Sequence, residues 1–367
     1  MVFPDSPIMP PGIPRQITGR YFTQRQLQRL TLSEVQFIQC TFTDITLTDV
    51  SLHNIHFEHC HFTRLRLDRG RVENCTSRYC TFDDISAQGA SLINVSFIEG
   101  QWQGCYLTDC LVERWLLACC LLDGAHLQDI QLHYWTAQDT PINNLTMSNS
   151  KMQDANLHGC VIQQSVWKDC ELIRQVMGSC ILKDCKYQSI RSDILVWSQC
   201  QLEQVDFRYQ PLANSNFHKT QLTQCWLNNA NLTAALFNES QIDGCDFSMA
   251  QLTAAQFADA TLSDCNFEAA QLHKASLLRA NLTRCQLTQT NLTQVDMRSC
   301  VLNASSLQAS QLNRTRLHGA QIPLLDAPLQ MPEPLLTQID NWYSRHKPGP
   351  TDTAQFPSIP SGASRYV

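Results

Sequence analysis

Residues 22–67 read FTQRQLQRLTLSEVQFIQCTFTDITLTDVSLHNIHFEHCHFTRLRL, and every fifth residue of that stretch is apolar: Phe22, Leu27, Leu32, Phe37, Phe42, Leu47, Leu52, Phe57, Phe62 and Leu67. The register continues without a slip to Leu312, Leu317 and Ile322, 61 positions in all, of which 57 carry a large apolar side chain. Ser77 and Ser192 are the polar exceptions, and Ala87 and Ala137 the small ones. A helix repeats about every 3.6 residues and a strand every 2, so neither produces a five-residue beat. A chain that turns a corner every five residues does.

A second slot, two residues before each beat residue, is small. It holds 17 of the 18 cysteines, from Cys40 to Cys300, and only Cys119 falls outside it. Ala230, Ala235, Ala250, Ala255 and Ala260 fill the same slot. Free cysteine packs as a small apolar residue. Metal sites need ligands that converge on a point, whereas these spacings follow the repeat, so the cysteines are assigned to packing.

Cys225, Cys245, Cys265 and Cys285 recur every 20 residues, and Phe207, Phe217, Phe237, Phe247, Phe257 and Phe267 are separated by multiples of ten. A coil of four five-residue sides explains both patterns, because ten residues then reach the opposite wall. Residues 20 apart stack in parallel ladders about 4.8 Å per coil. About 15 coils give a rod of roughly 70 Å. The expected fold is an all-β solenoid, a quadrilateral β-helix.

NANLT (229–233), MQDANLHGC (152–160) and DCNFEAAQLHKASLLRANLTRCQLTQTNLTQVD (264–296) resemble the A-(D/N)-L-x-x pattern of pentapeptide-repeat proteins. The resemblance covers about 300 residues and is strongest from about 200 to 322. It implies a right-handed coil, and it carries over no catalytic residue because the motif is structural. The long Gln- and Cys-rich coil with Pro-rich ends is similar in style to members associated with type VI secretion. That likeness implies an effector-loading accessory or an exported component in a bacterium.

The beat divides the chain into a Pro-rich leader or cap (1–21), the repeat (22–322) and a C-terminal segment (323–367). In the last, Leu335, Leu336, Ile339, Trp342 and Tyr343 fall at helical spacing after Pro334. They predict a short amphipathic helix over about 333–346 that caps the last coil or makes a dimer contact. A flexible Pro-rich tail follows it. No stretch approaches the roughly 20 apolar residues that span a bilayer, and Met1–Pro14 lacks the basic region of a secretory signal. The expected location is cytoplasmic, with signal-independent export left open.

Function must then sit on outward residues that the beat does not use. Leu121, Pro141, Val161 and Ile181 are spaced by 20 and should form one vertical apolar stripe, with Leu111 and Leu116 in the equivalent slot of the preceding sides. Contiguous exposed apolar surface marks interaction sites, so the stripe is the candidate for binding a protein partner or a second copy. Arg64, Arg66, Arg69, Arg71 and Arg78 crowd the region of Ser77.

His53, His56, His59 and His61 could make a zinc or nickel site only by converging with a further ligand such as Glu58 or Glu73. The perimeter spreads them apart, so no metal is expected. Between 80 and 206 the 15 acidic residues exceed the 7 basic ones, and Asp49, Asp109, Asp129 and Asp169 share one 20-residue lattice. Some pentapeptide-repeat proteins resemble duplex DNA and bind type II topoisomerases. Duplex DNA, however, carries a charge about every 1.7 Å, far denser than here.

Nucleic-acid binding is disfavoured for want of a basic groove with stacking aromatics. No phosphate loop or nucleophile elbow is present, so neither catalysis nor a cofactor is expected. The reading is a non-catalytic, rod-shaped interaction scaffold that binds protein through an outer wall or its C-terminal end. A topoisomerase-directed DNA mimic and a secreted effector are the alternatives.

Overall fold

The computed structural model describes residues 15–322, which form an all-β solenoid of parallel ladders. The five-residue corner is explicit in the backbone: every fifth residue from Gly19 to Gly319 has φ between +46° and +68°. An L-residue held in this left-handed region costs roughly 1–2 kcal/mol, and Gly, Asn and Asp enter it most readily. Hydrogen bonds between coils hold the corners in place. The corner amide of Asp49 donates to Asp68 O at 2.9 Å, and that of Arg279 to Arg298 O at 3.0 Å.

The coil has four walls, whose beats begin at Phe22, Leu27, Leu32 and Phe37. Phe22 pairs with Phe42 and Leu27 with Leu47, and the same 20-residue step continues to Leu282 and Leu302. The first and second walls form one sheet, the third and fourth another. On the fourth wall Ile17 pairs with Phe37, so the ladder starts at Gln16, inside the segment assigned to the leader. Ile17 lies on the same beat as Phe22, which is why the wall extends that far. Residues 1–14 and the C-terminal helix expected over 333–346 lie outside the described residues.

Inward side chains stack along the rod. Phe217, Phe237 and Phe257 stack on the fourth wall with centroids 4.7 Å apart, and Phe247 and Phe267 stack on the second at 4.8 Å. The two columns meet edge to face across the core, Phe237 to Phe247 at 5.8 Å, as expected of residues ten apart. Nearer the N-terminus the longest stack runs on the first wall, from Phe22 through Phe42, Phe62 and Phe82 to Trp102, while Phe37 and Phe57 stack on the fourth. Of the cysteines, 17 are buried and only Cys119 is exposed.

Corner chemistry changes near Phe207. Beyond it the second, third and fourth walls close as β-turns, with Ala230 N donating to Leu227 O at 3.1 Å and Ala235 N to Leu232 O at 3.0 Å. The first wall keeps three-residue strands such as Gln221–Thr223 and Gln241–Asp243. The residues after its corners are Cys225, Cys245, Cys265 and Cys285, where the closing walls mostly carry Ala, Ser or Thr. This is also the region in which the sequence pattern is most regular.

Departures from the beat have distinct outcomes. Ser77 and Ala87 remain buried and border an apolar core cavity of about 130 Å³, lined also by Leu67, Phe97, Trp102 and Trp115. Trp115 and Trp135 fill slots that elsewhere hold small residues, and they stack at 5.9 Å. Ser192 is instead half-buried, and its hydroxyl donates to Pro211 O on the next coil.

Candidate interaction surface

Leu121, Pro141, Val161 and Ile181 stand at the first position of the first wall on four successive coils. Gln101 pairs with Leu121, Pro141 with Val161, Val161 with Ile181, and Ile181 with Gln201. The neighbouring register Leu122–Ile142 links the coil of Leu121 to that of Pro141. The stripe is therefore one continuous column, bounded by a glutamine at each end. Leu121 is 37% exposed; Pro141 is exposed, and Val161 and Ile181 are half-buried.

Val161 and Ile181 are β-branched and suit a pleated surface. Pro141 has no amide to donate, so the rung that Ile181 N makes to Cys160 O at 2.9 Å has no counterpart at the proline. The third position of the same wall is polar: Gln103, Asp123, Asn143, Gln163, Lys183 and Glu203. Lys183 Nζ lies 3.0 Å from Glu203, and Asp123 accepts from Asn144 Nδ2 at 2.8 Å.

Leu111 and Leu116 are not part of this column. Leu111 stands on the third wall and Leu116 on the fourth, where they adjoin Ser91 and Ser96 of the coil below. Ile93 and Ile98 lie on that same strand, half-buried, and extend a second, smaller apolar area. Leu335, Leu336, Ile339, Trp342 and Tyr343 lie outside the described residues.

Sequence reasoning passed over several exposed apolar residues. Tyr209 is 71% and Met249 62% exposed, and Ile194 and Trp226 are exposed as well. Tyr209, Met249 and Ile194 are all corner residues with positive φ. The signal was their position two residues after a beat residue, where the chain turns outward. Ile194 is the one β-branched side chain among the described corner residues, an unfavourable choice for that backbone.

Several charged groups pair from one coil to the next. Arg64 holds Asp44, Arg69 holds Asp49 and Arg174 holds Asp154, each one coil apart, and Arg279–Asp259 and Arg284–Asp264 repeat the arrangement. Hydrogen bonds from these guanidinium groups push the aspartate pKa values below their ordinary value. Within the arginine cluster, Arg66 pairs with Asp68 and Arg71 with Glu73. Asp49, Asp109, Asp129 and Asp169 are all corner residues, so their lattice follows from the backbone preference of aspartate.

The four histidines occupy three walls and a corner. His56 Nδ1 lies 2.5 Å from Thr76 Oγ1 and His61 Nδ1 2.7 Å from Thr81 Oγ1, while His59 stacks on Tyr79 and His53 approaches Glu73. Among the described residues no group of three or more His, Cys, Asp or Glu side chains is placed to hold a metal ion. No helix among them is long and apolar enough to cross a membrane.

Comparison with known proteins agrees with this geometry. The sequence model of the pentapeptide repeat region matches residues 215–291, and that of pentapeptide repeats, in eight copies, matches 280–319. No curated protein matches the chain. Among solved structures it is similar to HetL, a pentapeptide repeat protein involved in heterocyst differentiation regulation from the cyanobacterium Nostoc. That match has 19% identity, covers 51% of this chain and 89% of that one, and has a TM-score of 0.27.

Full-length QnrB1, a plasmid-mediated fluoroquinolone resistance protein, matches at 13% identity over 73% of this chain and 93% of its own, with a TM-score of 0.19. A mannuronic acid-specific polysaccharide family 6 lyase from human gut microbiota matches at 8% identity over 90% and 88%, with a TM-score of 0.37. Residues 215–319 thus carry pentapeptide repeats, and the same 20-residue register continues in the structure back to Gln16.

Proposed function

We propose that this rod is a non-catalytic protein-interaction scaffold whose first wall, along Leu121, Pro141, Val161 and Ile181, binds another protein. One observation carries the reading: an unbroken apolar column on an outer wall whose other outward positions are mostly Gln, Asn, Ser, Thr or charged. Burial of such a column is favourable at about 25 cal/mol per Å² of apolar surface. A parallel ladder offers a flat face for it. An accessory or effector-loading role in a bacterial secretion system is the narrower form of this reading, and it rests on likeness of sequence style.

A duplex mimic would need unpaired negative charge along the rod. Here an arginine one coil away holds Asp44, Asp49, Asp154, Asp259 and Asp264, and the remaining carboxylates are far sparser than the charge about every 1.7 Å of duplex DNA, which favours the scaffold. The test is affinity purification of the full chain from its native bacterium beside the variant Leu121→Asp/Val161→Asp. The variant should lose at least one stoichiometric partner while circular dichroism stays unchanged. An identical set of bound proteins from both would reject the wall as a binding surface.

A further inference from the structure

We propose that the first wall is self-complementary and docks a second copy of this chain in antiparallel orientation, about a two-fold axis lying between the coils of Pro141 and Val161. The proposal rests on the reading of this wall as a protein-binding surface and names the partner. A two-fold axis in the plane of the wall, perpendicular to the rod, reverses the order of coils and keeps each column facing itself. Isologous contacts of this kind require one surface to match its own reversed copy.

Both columns of the wall meet that condition. The first reads Gln101, Leu121, Pro141, Val161, Ile181, Gln201. Reversed upon itself, it sets Leu121 against Ile181 and Pro141 against Val161 of the second copy, with the glutamines closing both ends. The third-position column reads Gln103, Asp123, Asn143, Gln163, Lys183, Glu203. Its reversal sets Asp123 against Lys183, Asn143 against Gln163, and Gln103 against Glu203. The adjoining corner column, Glu99, Cys119, Asp139, Gly159, Ser179 and Gln199, also meets itself without opposing like charges.

Charge selects this register over its neighbours. Sliding one coil in one direction places Asp123 opposite Glu203 of the second copy and Leu121 opposite Gln201. Sliding one coil the other way places Asp83 opposite Glu203 and leaves Ile181 facing Gln101. Like charges set directly opposite are destabilising, and such groups fix register more than raw affinity. Only the axis between Pro141 and Val161 buries the whole apolar column and pairs Asp123 with Lys183.

Zero-length carbodiimide coupling of the full chain, followed by peptide mass spectrometry, tests the contact directly. Within one chain Asp123 and Lys183 lie three coils apart, roughly 14 Å along the rod, too far for an amide to form between them. An Asp123–Lys183 cross-link confined to the dimer band is therefore the expected signature, with sedimentation equilibrium showing a dimer. Asp123→Lys should weaken the dimer about tenfold or more. The triple variant Asp123→Lys/Lys183→Glu/Glu203→Lys reverses every sign and keeps the pair between positions 183 and 203 within each chain, and it should restore the dimer.

These positions face outward, so unchanged circular dichroism is the expected control. A monomer at high micromolar concentration, cross-links in another register, or failure of the triple variant to rescue Asp123→Lys would overturn the proposal. If the chain is monomeric and Leu121→Asp/Val161→Asp still loses a native partner, self-docking fails while the scaffold reading stands.

Discussion

Two alanine-to-leucine substitutions on the same five-residue beat should move stability in opposite directions. Ala87 borders the apolar cavity of about 130 Å³, and its ladder neighbours one coil away are Leu67 and Leu107. Ala87→Leu adds three carbons, about 2.4 kcal/mol at about 0.8 kcal/mol each. Filling the whole cavity would gain at most about 3 kcal/mol at 24 cal/mol per Å³. Fixing the new side chain costs about 0.5–1 kcal/mol, which leaves a net gain of about 1.5–2 kcal/mol.

Ala137 is equally buried but follows Trp135, whose indole is sealed in the core and stacked on Trp115. A leucine there overpacks a filled layer, at about 1–3 kcal/mol. Equilibrium urea denaturation followed by tryptophan fluorescence should raise the midpoint for Ala87→Leu and lower it for Ala137→Leu at an unchanged slope. Shifts of the same sign would refute the view that the cavity, and not the beat alone, decides the outcome.

Two further outcomes follow from the thiols and the corner ion pairs. In the native chain at mildly alkaline pH a disulfide reagent should titrate one fast thiol, Cys119, and all 18 cysteines only in denaturant. Burial pushes Cys75, Cys170 and Cys185 each up to about 11 and Cys105 to about 12. Counting more than one fast thiol would contradict the sealed core. Hydrogen bonds from Arg64, Arg69 and Arg174 depress the pKa values of Asp44, Asp49 and Asp154, so their contribution is present above the unfolded carboxylate value and lost as pH falls through the folded ones. The urea midpoint should therefore be level near neutrality and drop below about pH 4, less steeply in high salt and in Asp154→Asn; an equal drop in that variant would remove the pair from the account.

The beat is local, and whatever depends on it was legible: the corner every five residues, the small slot that seals 17 cysteines, and the aromatic columns ten residues apart. The stripe from Leu121 to Ile181 was legible for the same reason, because a 20-residue spacing in a closed coil becomes a vertical column. Leu111 and Leu116 share its slot but not its wall, as their distances of ten and five residues from Leu121 already implied. Tyr209, Met249 and Trp226 escaped notice because the beat says nothing about which outward residues stand clear of their neighbours.

Sequence by itself thus determined the solenoid, its 20-residue coil and the burial of the beat residues and the cysteine slot, because an apolar residue every fifth position sets the corners and the 20-residue recurrence of cysteine and phenylalanine sets four sides. The tertiary structure decided what the outward side chains do. Stacking coils 20 residues apart paired Arg64 with Asp44 and Arg69 with Asp49, and opened a cavity at Ser77 and Ala87. It also brought Asp123 and Lys183 onto the apolar wall at mirrored distances from its centre. Those relations join residues whole coils apart, and a five-residue period cannot encode them.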